Sequence, residues 1–330
     1  MSLTARLSLV GPQESDPEDF LVGSLGVIFP DDVTDQHGDS EHGLEYKSPH
    51  LPKPLHISLS DPKGDEDRSL FSHYLWNSSL QLAELIEAGT LGLSGNKPQI
   101  VVGDGTEQRA APDSEFNVAG LDTFELGAGT ALPSLMSALL GSRRVVVTDY
   151  PAPVILKTLR HNVAANSQPS FSPKGHIVAA SENGGGGIEV EGHSWGEFNR
   201  PLARANKHAF DRVFVADCLW MPWQHDNLRR SIAYFLRDNK TSRAWVVAGF
   251  HTGRQKVRGF FDVEGLKAAE LEIERIWERD CDGVDREWVW DRGYEDPTVR
   301  KRWLVIAVLR RIPSLKAGEE TAEGHRGREG

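Results

Sequence analysis

The chain predicts an α/β fold whose core is a mostly parallel sheet with an antiparallel edge. Three observations carry this expectation. Between Leu121 and Ala248, short apolar runs alternate with stretches of helical periodicity. The runs Val145-Val146-Val147 and Val213-Phe214-Val215 are continuously apolar, as strands covered on both faces require. The stretch Phe124-Glu125-Leu126-Gly127-Ala128-Gly129-Thr130-Ala131-Leu132-Pro133 reads as a strand end, a glycine turn and a helix start. The glycines let the backbone turn sharply and approach a ligand, and Pro133 is tolerated in a first helical turn.

Each element follows in order. Residues 1–70 are rich in Asp, Glu, Pro, Gly and His and predict an irregular N-terminal arm, with strand alternation from Leu55 to Leu59. A helix is expected from Ser72 to Ala88, capped by Ser72, with Leu75, Ser79, Leu82 and Ile86 on one face and Trp76 near its start. Residues 89–119 predict a long surface insertion containing a short strand at Ile100-Val101-Val102. Strand 121–126 leads through the glycine turn into a helix bearing Leu135, Met136, Leu139 and Leu140. Strand Arg144–Thr148 ends in Asp149, and helix 152–165 places Ile155, Leu159 and Val163 on one face. A strand is expected at His176–Ala180, ahead of a mobile glycine run at 184–187. Strand Arg212–Ala216, helix 226–237, strand Ala244–Ala248 and helix 254–263 follow. Strands at 271–277 and 302–309, with no helix between them, supply the antiparallel edge. The main domain is expected to span 71–311. The tail 312–330, almost free of apolar residues, is expected to be disordered.

Composition narrows the function. The 330 residues carry a net charge of −11, which argues against nucleic-acid or anionic-membrane binding. Cys218 and Cys281 stand far apart, outside any CxxC or Cys/His metal spacing, and suggest a reducing compartment without structural zinc. No signal peptide is visible, and no stretch approaches a membrane span, so a cytoplasmic location is expected, with the nucleus open.

The turn discriminates between ligands. A dinucleotide site wants a third glycine where Leu132 stands, so that fingerprint fails. Glu125 lies two residues before Gly127. A carboxylate there would repel a pyrophosphate but suits a cationic ligand. Gly127, Asp149, Trp195 and Asp217 each lie at or after a predicted strand end, where ligands bind in open α/β sheets. Four successive glycines without a lysine do not make a phosphate cradle, and buried Cys218 without a base is not expected to act as a nucleophile.

Five segments together resemble the seven-β-strand, S-adenosylmethionine (SAM)-dependent methyltransferases, a Rossmann-like (class I) fold. More narrowly they resemble lysine methyltransferase family 16 in its fungal, nicotinamide N-methyltransferase-like branch, which includes enzymes acting on translation elongation factor 1A. The segments are His73-Tyr74-Leu75-Trp76-Asn77, Phe124–Pro133, Thr148-Asp149-Tyr150-Pro151, Ser194-Trp195-Gly196 and Ala216-Asp217. The resemblance covers roughly 70–310. It implies SAM as cofactor, held by Trp76, Glu125, Gly127, Ala128, Gly129, Asp149, Trp195 and Ala216, with Asp149 on the ribose and Trp195 on the adenine. It places the segment after the fourth strand beside the acceptor, so Asp217 and Trp220 are the candidates there, with Trp223, Phe250 and His251 expected at the rim. Ala131 departs from the pattern at the third glycine, and Asp217-Cys218-Leu219-Trp220 carries Trp where many relatives have Tyr or Phe.

A protein N-methyltransferase acting on a lysine or N-terminal amine, with a translation factor among the candidate substrates, is therefore the leading expectation. A small-molecule N-methyltransferase and a SAM-binding regulatory protein with little turnover are the alternatives, and a dehydrogenase is the outsider.

Overall fold

The computed structural model describes residues 2–10, 35–38, 43–59, 74–93, 99–101, 107–109, 113–177 and 187–312. In chain order the strands are β1 (Leu7–Val10), β2 (Gln36–His37), β3 (Gly43–Tyr46), β4 (Leu55–Ile57), β5 (Leu75–Trp76), β6 (Gln99–Val101), β7 (Glu107–Arg109), β8 (Asp122–Leu126), β9 (Arg144–Asp149), β10 (Gly187–Gly192), β11 (Arg212–Ala216), β12 (Arg243–Gly249), β13 (Leu271–Asp280), β14 (Asp285–Glu287) and β15 (Trp303–Arg311). Eight of them form the central sheet, in the order β10-β9-β8-β11-β12-β15-β13-β14. The first five in that order pair in parallel, and β15, β13 and β14 pair antiparallel.

The expected mostly parallel sheet with an antiparallel edge is therefore present. The short β14 adds an eighth strand to the seven expected, and the two strands of the edge are separated by β14 and the helix Pro297–Lys301. Both faces are covered. Helices Asn77–Leu91, Leu132–Leu139 and Pro153–Asn166 bury one face against Phe214, Trp245 and Ile306. Helix His225–Phe235 and the segment 254–268 bury the other, where Phe124 stacks on Phe235 at 4.1 Å. Continuous burial of β9, β11 and β12 explains their unbroken apolar runs.

Several boundaries differ from expectation, each for a physical reason. The first helix begins at Asn77 rather than Ser72, because Leu75 and Trp76 pair antiparallel with His37 and Gln36. The strand expected at His176–Ala180 is not found at His176 or Ile177; residues 178–180 lie outside the described residues. The strand beside β9 is β10 instead, an edge strand alternating Ile188 and Val190 with Glu189 and Glu191. Of the glycine run 184–187, only Gly187 is described, and it opens β10. The helix expected over 254–263 divides into Arg254–Arg258, a 3-10 turn at Gly259–Phe261 and a helix at Val263–Ala268 capped by Asp262. Within 89–119, β6 and β7 form an antiparallel pair. Residues 313–330 lie outside the described residues, so the expected tail does too.

The N-terminal arm is more regular than its composition suggests. β1, β3 and β4 form a three-stranded antiparallel sheet. Arg6 ties it to the first helix, donating to buried Glu87 at 2.7 Å and to Tyr46 Oη at 3.1 Å. Asn162 and Asn166, one turn apart on helix Pro153–Asn166, close the outer edge of β4. Their Oδ1 atoms accept from Ser58 N and His56 N at 2.8 Å, while their Nδ2 atoms donate to Ser58 O and His56 O. Two side-chain amides thus do what a further strand would do.

Candidate active site

The chain runs from β8 outward to β9 and β10, then returns to the other side of β8 as β11 and β12. The reversal opens a crevice at the carboxyl ends of β8 and β11, the place where open α/β sheets take ligands. A cavity of about 230 Å³ lies there. Every cofactor-binding and catalytic residue expected from the sequence lines it except Glu125, whereas Trp223, Phe250 and His251, expected at the rim, do not.

The glycine turn follows β8. Gly127 and Gly129 have φ of 68° and 54°, the left-handed region that favours glycine. Close approach makes Gly127 stricter still. A Cβ there would stand 2.6 Å from Cys218 Sγ and 3.2 Å from Trp195 Cζ2. Ala131, at φ 68°, occupies the same region in place of the third glycine. Its cost is backbone strain, on the order of 1–2 kcal/mol for an L-residue.

Asp149 ends β9 and braces the turn. Gly129 N donates to its Oδ2 at 2.7 Å, and Tyr150 N donates to Oδ1 at 2.6 Å. Burial raises this carboxyl above its ordinary value, and the two N–H groups pull it back. Each oxygen keeps a lone pair for a further donor in the cavity.

Glu125 is a correction. Side chains alternate along β8, so Phe124 and Leu126 face one core while Thr123 and Glu125 face the helix Leu132–Leu139. Ser134, in the first turn of that helix, gives Glu125 Oε2 both its N–H (3.1 Å) and its hydroxyl. The carboxyl therefore caps the helix from beneath instead of facing the cavity. It is wholly buried, Oε1 has no partner among the described residues, and burial pushes its pKa up to about 8.

Trp195 follows β10, half-buried and against Gly127. Gly196 sets its position. At φ 82° it donates its N–H to Ser231 Oγ at 2.9 Å, and a Cβ would meet Asn227 Oδ1 at 2.6 Å. The glycine after the tryptophan thus lets this loop lie directly on helix His225–Phe235. His193, just before it, is buried, which holds it neutral with its pKa pushed down to about 4.

Asp217 follows β11 at φ 58°, a conformation Asp tolerates better than most residues. Its N–H donates to Val247 O at 2.9 Å, and its Oδ1 accepts from Gly249 N at 3.2 Å. Burial raises its carboxyl, with the imidazole of His251 opposing. Cys218 is buried, its thiol pushed well above the ordinary value by desolvation, and its Sγ donates to Leu126 O and Ala216 O at 3.4 Å. It is unsuited to act as a nucleophile.

The far wall comes from Trp76, Tyr74 and Trp220. Trp76 lines the cavity rather than filling the core, stacked on His251 at 4.7 Å and 22°. Trp220 is half-buried in the wall, edge-on to Trp223, which is 72% exposed and outside the lining. Phe250 departs from the expected rim. It is fully buried, stacked on Trp288 and beneath the Arg254 guanidinium at 4.2 Å.

Sequence reasoning overlooked Ser79, Met221, Gln224 and Asn227 as lining residues. The available signal was spacing: Gln224 and Asn227 lie within one turn of the helix that follows Trp220, and Asn227 Nδ2 donates to Gln224 Oε1.

Residues 71–263 match the family model described as lysine methyltransferase. The chain belongs to this family. It is an S-adenosyl-L-methionine-dependent methyltransferase, and SAM is its cofactor. Among its relatives is the protein N-terminal and lysine N-methyltransferase EFM7 of Gibberella zeae, 30% identical over 220 residues that cover 64% of this chain and 70% of that one. The protein of the same name in Schizosaccharomyces pombe is 27% identical over 254 residues, covering 73% of this chain and 83% of the relative. That of Eremothecium gossypii is 29% identical over 215 residues, covering 62% and 66%.

The cavity of this methyltransferase fits such a cofactor. Asp149 and Asp217 line it, both buried, and no Lys or Arg stands in the lining among the described residues. A phosphate-bearing ligand would meet two carboxyls there and no Lys or Arg among the described residues, whereas SAM brings an ammonium and a sulfonium. Buried carboxylates without a cationic partner are costly, and a cationic ligand supplies the partner.

Proposed function

We propose that this methyltransferase acts on an amine of a protein, a lysine side chain or an N-terminal α-amine, and that the acceptor is a translation factor met in the cytoplasm. The observation that carries the reading is the wall around Asp217. A buried carboxylate stands beside Trp220 and Trp76 in a cavity whose described lining holds no Lys or Arg, which suits an incoming ammonium flanked by aromatic faces. The names of the fungal relatives support a protein amine as acceptor. The resemblance of the motifs to the branch that modifies translation elongation factor 1A supports the narrower choice.

In this reading Asp149 would take the ribose hydroxyls, Trp195 would pack on the adenine, and the Gly127–Gly129 turn would lie along the cofactor. When bound, SAM supplies an electrophilic methyl on a positive sulfur. The chain's own task is alignment. Asp217 orients the acceptor nitrogen and accepts a proton from it, and Trp220 and Trp76 fix its approach.

Transfer from labelled SAM into whole and deproteinised lysate tests the proposal. Label in a protein band, identified by mass spectrometry as a translation factor methylated on lysine or the N-terminus, is expected. Label confined to small solutes would overturn it in favour of a small-molecule acceptor, and tight SAM binding without transfer would favour a regulatory role.

A further inference from the structure

His251 lies behind Asp217 and beneath Trp76, outside the cavity lining. Its ring stacks on Trp76, and its Nδ1 stands 3.9 Å from Asp217 Oδ1. That nitrogen is buried and has no hydrogen-bond partner among the described residues. The end of β12 is shaped around the pair. Gly249 N donates to the same Asp217 oxygen, and a Cβ on Gly249 would come within 3.0 Å of His251 Nδ1. The turn beyond is locked from behind. Arg254 makes two contacts with fully buried Glu278, at 2.6 and 3.1 Å, two more with Glu295 at 2.8 Å, and covers the Phe250 ring. An unpartnered imidazole nitrogen held this firmly beside a cavity carboxylate is more than packing requires.

We propose that His251 is a positioning residue for the acceptor amine, acting through both neighbours: its ring braces Trp76, and its polar Nδ1 edge, 3.9 Å from Asp217 Oδ1, biases the orientation of that carboxylate without a direct hydrogen bond. The proposal rests on reading the acceptor as an amine. The step it serves is loss of one proton from the acceptor ammonium. An N–H bond breaks, the electron pair stays on nitrogen for attack, and the proton passes to an Asp217 oxygen, whose orientation His251 sets.

Two variants of the full chain separate the two contacts. His251→Phe keeps a ring against Trp76 but removes the nitrogen. His251→Asn places an amide where Nδ1 stands but removes the stack. SAM affinity, melting midpoint, and kcat and KM for labelled-methyl transfer are measured on the same preparations. We expect His251→Phe to hold SAM affinity within about twofold while kcat falls about tenfold or more, the signature of an interaction realised in the transition state. His251→Asn should retain more of kcat than His251→Phe and lose more SAM affinity. Wild-type kcat in His251→Phe, equal kcat losses in the two variants, or losses that only follow the melting midpoint would each overturn the proposal. Label found in small amines would remove the protein acceptor alone, because the same comparison is then made on that amine.

Discussion

Substituting each glycine of the cofactor turn by alanine separates strain from collision. Gly127 and Gly129 share the left-handed region, so each pays a similar backbone penalty, roughly 1–2 kcal/mol, partly offset by about 0.4–1 kcal/mol from a stiffer unfolded chain. Their surroundings differ. A Cβ on Gly129 meets nothing within 4 Å, while one on Gly127 meets Cys218 Sγ at 2.6 Å and Trp195 Cζ2 at 3.2 Å. Cys218 is anchored by its contacts with Leu126 O and Ala216 O, so it cannot swing aside freely. Relieving the contact requires a shift of about 1 Å in a packed wall, an overpacking cost of roughly 1–3 kcal/mol. Gly129→Ala should therefore lose about 1 kcal/mol and Gly127→Ala about 2–4 kcal/mol by urea unfolding. Gly127→Ala should also weaken SAM binding more, because the collision displaces Trp195. A cycle with Cys218→Ala isolates the contact: the double variant should recover about 1–2 kcal/mol relative to additivity. Equal losses at the two glycines, or a coupling energy near zero, would refute the steric argument.

Four further outcomes are expected. Asp149→Asn should weaken SAM binding about tenfold or more, since a charge-assisted hydrogen bond is worth about 1.5–3 kcal/mol; wild-type affinity by calorimetry in a folded variant would take Asp149 out of the site. Trp220→Ala should lower methyl transfer with SAM affinity little changed; full transfer in a stable variant would remove Trp220 from the acceptor wall. Glu125, with a folded pKa of about 8 against 4.5, keeps its proton in the fold and loses it on unfolding between those values, so its stabilising contribution is complete below pH 4.5 and declines as pH rises toward 8. Glu125→Gln should remove part of that decline, up to about 1.4 kcal/mol per pH unit, and an unchanged slope in unfolding free energy against pH would count against the burial argument. Asn162→Ala removes the amide that joins Ser58 to Thr130 of the turn, and should cost about 2–4 kcal/mol with a measurable loss of SAM affinity; a change below about 0.5 kcal/mol would show the link to be idle.

The sheet was legible because burial on both faces leaves an uninterrupted apolar run, as in Val145–Val147, and because the glycine turn marks one strand end unambiguously. β10 was misplaced for the converse reason. As an edge strand it alternates Ile188 and Val190 with two glutamates, a signal no stronger than that of a loop. The N-terminal sheet was hidden because its pairing is long-range: Leu7 meets Tyr46, and the edge of β4 is satisfied by Asn162 and Asn166, more than a hundred residues away. Glu125 was assigned to the ligand because sequence position fixes that it stands two residues before the glycine, but not which face of the strand it occupies. The period of two in β8 decides that, and the helix beneath claims the carboxyl.

The misplacement of Glu125 clarifies what the cavity asks of its acids. Glu125, Asp149 and Asp217 are all buried at the carboxyl ends of neighbouring strands, and burial raises each one. Glu125, pushed up to about 8, takes its hydrogen bonds from Ser134, and its second oxygen has no partner among the described residues; it serves as a neutral carboxyl capping a helix. Asp149 and Asp217 each accept backbone N–H groups that favour the ionised form, and these two face the cavity. The strand ends thus sort three acids by the face they occupy, one turned beneath a helix and two turned to the cavity. In the proposed reading these two carboxyls serve different partners: the ribose hydroxyls of the cofactor at Asp149, and an acceptor that arrives as an ammonium at Asp217. Trading either cavity-facing carboxyl for its amide should lose one partner and spare the other, which is the physical content of the proposed division into a cofactor side and an acceptor side.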